Sequence, residues 1–100
     1  IQEIPGFKDR FFGASEKKLN KRRLAGNFAA KESLFKSLDN QRGFNFKECN
    51  VLRTREGKPF FEFYGSMSEL MSGKSTFLSI SNLDTLVIAI VIVSEEEMLI

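Results

Sequence analysis

Residues 24–38 read Leu24-Ala25-Gly26-Asn27-Phe28-Ala29-Ala30-Lys31-Glu32-Ser33-Leu34-Phe35-Lys36-Ser37-Leu38, and their spacing decides the fold. Gly26, Ala30, Ser33 and Ser37 fall at i, i+4, i+7 and i+11, one narrow helical stripe of small side chains. Leu24, Phe28, Phe35 and Leu38 form a bulky apolar stripe beside it. A helix with this face can lie very close to a sheet, because nothing larger than a hydroxymethyl group keeps the backbones apart. Glu32 precedes Lys36 by four residues, the favourable orientation for a helix ion pair, and Lys31 flanks them. The helix is therefore expected to project one carboxylate and two ammonium groups. On spacing alone such a trio is a solvated face, with a surface pair worth about 0.3–0.5 kcal/mol.

Upstream of this helix the chain is basic. Lys17, Lys18, Lys21, Arg22 and Arg23 crowd one short stretch, opposed only by Glu16. Ser15 reads as an N-cap whose hydroxyl accepts from a free backbone N–H of the next turn. Further back, Pro5 is placed to start a short helix that puts Phe7, Phe11 and Phe12 on one side and ends near Gly13. Downstream, Asp39-Asn40 terminates the long helix, and the rest reads as sheet. Phe44–Phe46 is expected to form a short strand. Cys49–Thr54 and Pro59–Tyr64 form a hairpin around Arg55-Glu56-Gly57-Lys58, where Gly57 is free to take positive φ. Ser66–Met71 makes one or two helical turns, and Phe77–Ser81 and Thr85–Val93 form a second strand pair. Leu86–Val93 is apolar without alternation, so it is expected to be covered on both faces, by helix and partner subunit or within a closed sheet. The fold class is α+β: a long central helix packed on an antiparallel sheet, with a smaller N-terminal helix.

One hundred residues make one domain with a modest core. A formal charge of +2 implies no general nucleic-acid footprint, and Glu95, Glu96 and Glu97 balance the basic stretch. There is one cysteine, Cys49, so no internal disulfide forms, which fits a reducing compartment. A lone Cys in a strand pattern is usually a small buried hydrophobe. Histidine is absent, which removes His-based triads, most zinc sites and imidazole acid–base chemistry. The run Leu86–Val93 is too short to span a membrane, and residues 1–15 lack the apolar core of a signal peptide. A cytoplasmic location is expected, or an organelle stroma if a targeting segment has been removed.

Three stretches together resemble the holo-acyl-carrier-protein synthases, the small bacterial-type 4′-phosphopantetheinyl transferases. Residues 24–38 are similar to that family's AGNFAAKEA helix with its following lysine. Glu56-Gly57-Lys58-Pro59 resembles its GKP turn. Ser79-Ile80-Ser81, ahead of an apolar strand, resembles its SISH or SITH segment. The resemblance implies the phosphopantetheinyl transferase fold, trimers with active sites between subunits, and an N-terminal strand upstream of Ile1. It implies that coenzyme A and acyl carrier protein are the partners, with no nucleic acid and no membrane. A carrier serine attacks the β-phosphate of the coenzyme, Mg²⁺ neutralises the diphosphate, and adenosine 3′,5′-bisphosphate leaves, in fatty acid biosynthesis.

The resemblance also implies site residues. Glu32 matches the metal-binding glutamate, and Lys36 the lysine one turn later that reaches a phosphate or the leaving oxygen. Asn27, Lys31, Lys36, Lys58, Pro59, Ser81 and Asn82 fall at coenzyme-contacting positions. Arg10 resembles a carrier-contacting arginine, and Lys17 and Lys18 add to a basic docking surface for an acidic carrier. Arg22 and Arg23 are alternatives for the coenzyme's 3′-phosphate. The second metal carboxylate is the aspartate of a GxDxxxI motif, and Ile1-Gln2-Glu3-Ile4 resembles the residues just after it.

This chain also departs from the pattern. Asn82-Leu83 replaces the usual His-Thr, and Asp39-Asn40-Gln41-Arg42-Gly43 replaces a GTG turn, where Arg42 can supply charge. These departures keep open a relative that binds coenzyme or carrier without catalysis. A nucleic-acid module using residues 17–23 is disfavoured, because no aromatic side chains interleave with the basic ones.

Overall fold

The computed structural model describes residues 6–95. Its elements are α1 (Phe7–Phe11), α2 (Lys21–Ser37), a 3₁₀ turn (Phe46–Glu48), β1 (Cys49–Arg53), β2 (Pro59–Phe63), α3 (Gly65–Leu70), β3 (Lys74–Asn82) and β4 (Val87–Glu95). Both strand pairs are antiparallel hairpins, β1 with β2 and β3 with β4. The sheet layer thus consists of two ribbons, and α2 crosses both.

Helix α2 behaves as its small stripe requires. Gly26 and Ala30 are buried, and a Cβ added at Gly26 would sit 3.3 Å from Ile80 Cγ2 and 3.9 Å from Val87 Cγ1. Ser33 Oγ lies 3.5 Å from the Ala89 carbonyl. The backbone of α2 therefore rests almost directly on β3 and β4. Its start differs from the expectation. Asn20, not Ser15, caps the helix, accepting from Arg23 N at 2.9 Å. Ser15 sits in a run of turns and accepts from Asn50 Nδ2 at 3.2 Å. The helix stops where Asp39 and Asn40 take φ of 56° and 53°, a conformation that Asp and Asn tolerate better than most residues.

The core has two parts. Leu34, Cys49, Met67 and Met71 form one cluster, and Ala30, Val51 and Leu78 the other, with Phe61 and Val91 packed against both. A third apolar region is aromatic. Phe7, Phe11, Phe28 and Phe46 meet with centroids 5.1–5.3 Å apart across three contacts, and this cluster holds the five-residue α1 against α2. Pro5, the expected start of α1, lies outside the described residues. Phe44–Phe46 is not a strand: Phe44 and Phe46 turn their rings to Phe35, and Phe46 opens the 3₁₀ turn, capped by Asn45.

The second hairpin is longer than expected on the β3 side, and its turn falls later. Leu83 and Leu86 exchange both backbone hydrogen bonds, which leaves Asp84 and Thr85 as a two-residue loop. The apolar run of β4 also splits by face. Val87, Ala89, Val91 and Val93 are half-buried toward the helix and core, whereas Ile88, Ile90 and Ile92 are 44%, 55% and 58% exposed. Phe77 pairs with Ile92 and is 58% exposed on the same side. Among the described residues the second face is uncovered.

Two outcomes follow from this packing. Gly26→Leu forces a branched side chain into the contact with Ile80, and overpacking of this kind costs about 1–3 kcal/mol, to be read as a lowered urea midpoint. Cys49 is fully buried, and its thiol is pushed up to about 12 by burial, against the opposing charge of Lys31. Iodoacetamide at pH 8 should therefore leave the native protein unlabelled and modify Cys49 only after denaturant is added.

Candidate active site

Helix α2 and strand β4 diverge along one edge and leave a cleft of about 400 Å³. Phe28, Ala29, Glu32, Ser33 and Lys36 line its helix side, and Val87, Ile88 and Ala89 its strand side. The positions i, i+4 and i+8 of Phe28, Glu32 and Lys36 explain why one helix face supplies both the apolar floor and the charges. Lys36 Nζ lies 3.2 Å from Glu32 Oε1, with side chains 68% and 44% exposed. Both charged groups thus remain open to a ligand. Ser81 pairs with Ile88 and Asn82 with Val87, so these two exposed residues flank the strand wall of the cleft.

Among the described residues, no three His, Cys, Asp or Glu side chains gather to hold a metal. Glu32 offers one solvent-open oxygen donor set. That fits Mg²⁺, which usually takes one or two carboxylates and completes its shell with water and phosphate oxygens. It does not fit a metal caged by protein alone.

Lys31 does not project beside Glu32, which corrects the expectation from spacing. It is fully buried, about 100° round α2 from Glu32, and forms an ion pair with the fully buried Glu16. Its ammonium also donates to the carbonyls of Phe11 at 2.7 Å and Phe46 at 3.0 Å, and stands 5.0 Å from the Phe12 ring centroid. Burial pulls its pKa down, and the Glu16 carboxylate opposes that. Glu16 accepts further hydrogen bonds from Gly13 N, Asn27 Nδ2 and Val51 N, at 3.2, 2.9 and 3.3 Å. Asn27 is also fully buried, and its Oδ1 accepts from Arg53 Nη1 at 3.3 Å. Within this subunit Asn27 and Lys31 therefore serve an internal network and line no part of the cleft.

Glu16 and Arg53 are the members of this network that the sequence did not assign. Glu16 carried a signal, as the lone acid facing a run of five cations. Arg53 carried none beyond its place on a strand face shared with Val51. Burial lowers the Arg53 pKa, the nearby Arg23 charge adds to this, and Glu16 opposes it.

The other expected residues lie apart from the cleft. Lys58 and Pro59 sit where the β1–β2 hairpin closes, with Lys58 N donating to Thr54 Oγ1 at 3.1 Å and Pro59 opposite Arg53. Arg10 is exposed, with its guanidinium 5.6 Å from the Phe11 centroid. Lys17 pairs with Asp9 at 2.5 Å, which holds the Asp9 carboxyl below its usual range. Lys18 is exposed in the same turn. These three cations lie in the α1–α2 segment and do not line the cleft. No helix among the described residues is long and apolar enough to cross a membrane.

The chain is similar to known proteins. The family model of the 4′-phosphopantetheinyl transferase superfamily matches residues 2–91. A holo-[acyl-carrier-protein] synthase of Clostridium botulinum is 35% identical, over 93% of this chain and 83% of its own length. One of Clavibacter sepedonicus is 33% identical, over 73% of this chain and 61% of its own length. The crystal structure of Helicobacter pylori holo-[acyl-carrier-protein] synthase in complex with coenzyme A superposes with a TM-score of 0.75 at 28% identity, covering 88% of this chain and 81% of that one. With the family model spanning most of the chain, a relative 35% identical over nearly all of it, and the fold in agreement, the chain belongs to the 4′-phosphopantetheinyl transferase superfamily, among the holo-[acyl-carrier-protein] synthases.

Proposed function

We propose that this chain transfers 4′-phosphopantetheine from coenzyme A to a serine of acyl carrier protein, with Mg²⁺, to supply holo carrier for fatty acid biosynthesis. The observation that carries this reading is the Glu32–Lys36 pair, solvent-open at the edge of a cleft with an apolar floor. A diphosphate needs cations beside it and a fixed line of attack, and the pantetheine arm needs apolar cover.

In this reading the serine oxygen attacks the β-phosphorus. A new P–O bond forms, the bridging bond to the α-phosphate breaks, adenosine 3′,5′-bisphosphate leaves, and the serine proton passes to water. Glu32 would hold Mg²⁺, which supplies charge neutralisation at the diphosphate when bound. Lys36, exposed in the cleft beside Glu32, would meet the charge that grows on the leaving oxygen. Ser81 and Asn82 would donate hydrogen bonds along the strand wall, and Lys58 and Pro59 would meet a more distant part of the coenzyme. Arg10, Lys17 and Lys18 would present positive charge to an acidic carrier, which mainly raises the encounter rate and orients the partner.

The uncovered face of β3 and β4 supports a homotrimer with sites between subunits. Phe77, Ile88, Ile90 and Ile92 make a contiguous apolar strip, and such strips on soluble chains mark association surfaces. Ile88 belongs both to this strip and to the cleft wall, so a neighbouring subunit seated there would complete the site.

Two experiments test this reading. Glu32→Ala should leave the helix folded, since alanine is a good helix former, and remove Mg²⁺-dependent transfer, read as loss of the mass gain on apo carrier protein. Full transfer by that variant would overturn the metal role of Glu32. Coenzyme binding without transfer by the unaltered protein would favour a binding relative that has lost catalysis. Ile90→Asp should convert the trimer to monomer in light scattering and abolish transfer with it. An unchanged mass would overturn the association surface.

A further inference from the structure

We propose that Lys31 and Glu16 form the positioning element of the cleft: their buried pair fixes the rotation of α2 about its axis and so aims Glu32 and Lys36. The inference rests on the transfer reading above.

The contact of α2 with the strands cannot set this rotation sharply. Gly26, Ala30 and Ser33 present small side chains, joined to β4 by the long hydrogen bond from Ser33 Oγ to the Ala89 carbonyl at 3.5 Å, and the hydrophobic contact around it has no direction of its own. Lys31 supplies direction. An ammonium has three N–H donors, and here they meet Glu16 and the Phe11 and Phe46 carbonyls. Those acceptors come from α1, from the turn before α2 and from the 3₁₀ turn, so they surround the ammonium from separate segments. Glu16 is fixed in turn by Gly13 N, Asn27 Nδ2 and Val51 N. Turning α2 would break several buried hydrogen bonds at once.

Glu32 is the next residue, about 100° further round the helix. Its carboxylate stands about 5–6 Å from the axis, so a turn of about 20° moves it by about 2 Å. A displacement of about 1 Å at a reacting centre can lower a rate about 10²-fold. A buried ion pair is often no more stabilising than apolar residues of the same volume. What distinguishes the pair here is therefore the direction it gives to α2, beyond any stability it adds.

The decisive variant is Glu16→Met/Lys31→Met in the full chain, beside the unaltered protein. Three quantities are read: the thermal midpoint, kcat and KM for carrier transfer, and binding of Mn²⁺ (standing in for Mg²⁺) by electron paramagnetic resonance with coenzyme A present. The double variant removes both charges together, so no lone charge is left buried, but Gly13 N, Val51 N, the Asn27 amide and the Phe11 and Phe46 carbonyls lose these partners, so it should fold with a lowered midpoint. Its kcat should fall about 10²-fold, and its Mn²⁺ affinity about 10–100-fold, while KM for the carrier stays within about threefold. A folded double variant with unaltered kcat and Mn²⁺ affinity overturns the proposal. If the double variant does not fold, Lys31→Arg, which keeps the charge on a bulkier fork, should show smaller losses of both quantities. Unaltered values there, or failure of both variants to fold, overturn it equally. If the unaltered protein itself transfers nothing, the transfer reading fails, and the Mn²⁺ comparison alone decides on positioning. A lack of Mn²⁺ binding by the unaltered protein overturns the proposal.

Discussion

A fully buried ammonium has to find acceptors for all its protons, and Lys31 finds them only because three segments converge on it. Its carboxylate partner, Glu16, is equally buried and equally satisfied. Removing one partner of such a pair leaves an uncompensated charge in the interior, at a cost of about 3–5 kcal/mol. That penalty forces α1, the turns of residues 14–18, the 3₁₀ turn and β1 into one arrangement around α2. The aromatic cluster of Phe7, Phe11, Phe28 and Phe46 then closes over it. Apolar contact alone would hold these pieces together without fixing their mutual angles.

The opposite face of α2 follows a different rule. There the requirement is closeness, met by side chains that are nearly absent. Gly26 allows Ile80 and Val87 against the helix backbone, and Ala30 lies under Leu78 and Val51. One helix thus carries a polar lock on one side and a smooth contact on the other, and Glu32 and Lys36 emerge at the border between them. Their openness follows from this geometry. They line the cleft between the helix and β4, turned away from the network that holds Lys31.

The small-residue stripe, the Glu32–Lys36 spacing, the stop at Asp39-Asn40 and both hairpins were legible because each rests on local periodicity or turn chemistry. The departures have non-local causes. Ser15 and Asn20 are both good caps, and only the demand that Glu16 enter the core moves the helix start to Lys21. Phe44–Phe46 has the composition of a strand, but its rings are drawn toward Phe35 and Phe11. Lys31 read as exposed because lysine normally is. Its burial depends on an acid fifteen residues away in sequence, and helix periodicity carries no information about that partner. Asn27 was displaced for the same reason, since its amide donates to Glu16 and the Val51 carbonyl and accepts from Arg53.

The strand β4 joins the fold to the proposed chemistry. Its inner residues pack on α2, and its outer isoleucines face solvent beside Phe77. Ile88 lies at the point where the open face meets the cleft. The isoleucines face away from α2, but Ile88 also lines the cleft, so a subunit that covers them would reach the cleft at that end of the strand. A coenzyme held there would be enclosed by two chains, while the aim of Glu32 would still be set within one. The division is physically sensible: the buried pair resists rotation inside a subunit, where water cannot compete for its hydrogen bonds. The interface can be built from non-directional apolar contact, since its task is cover.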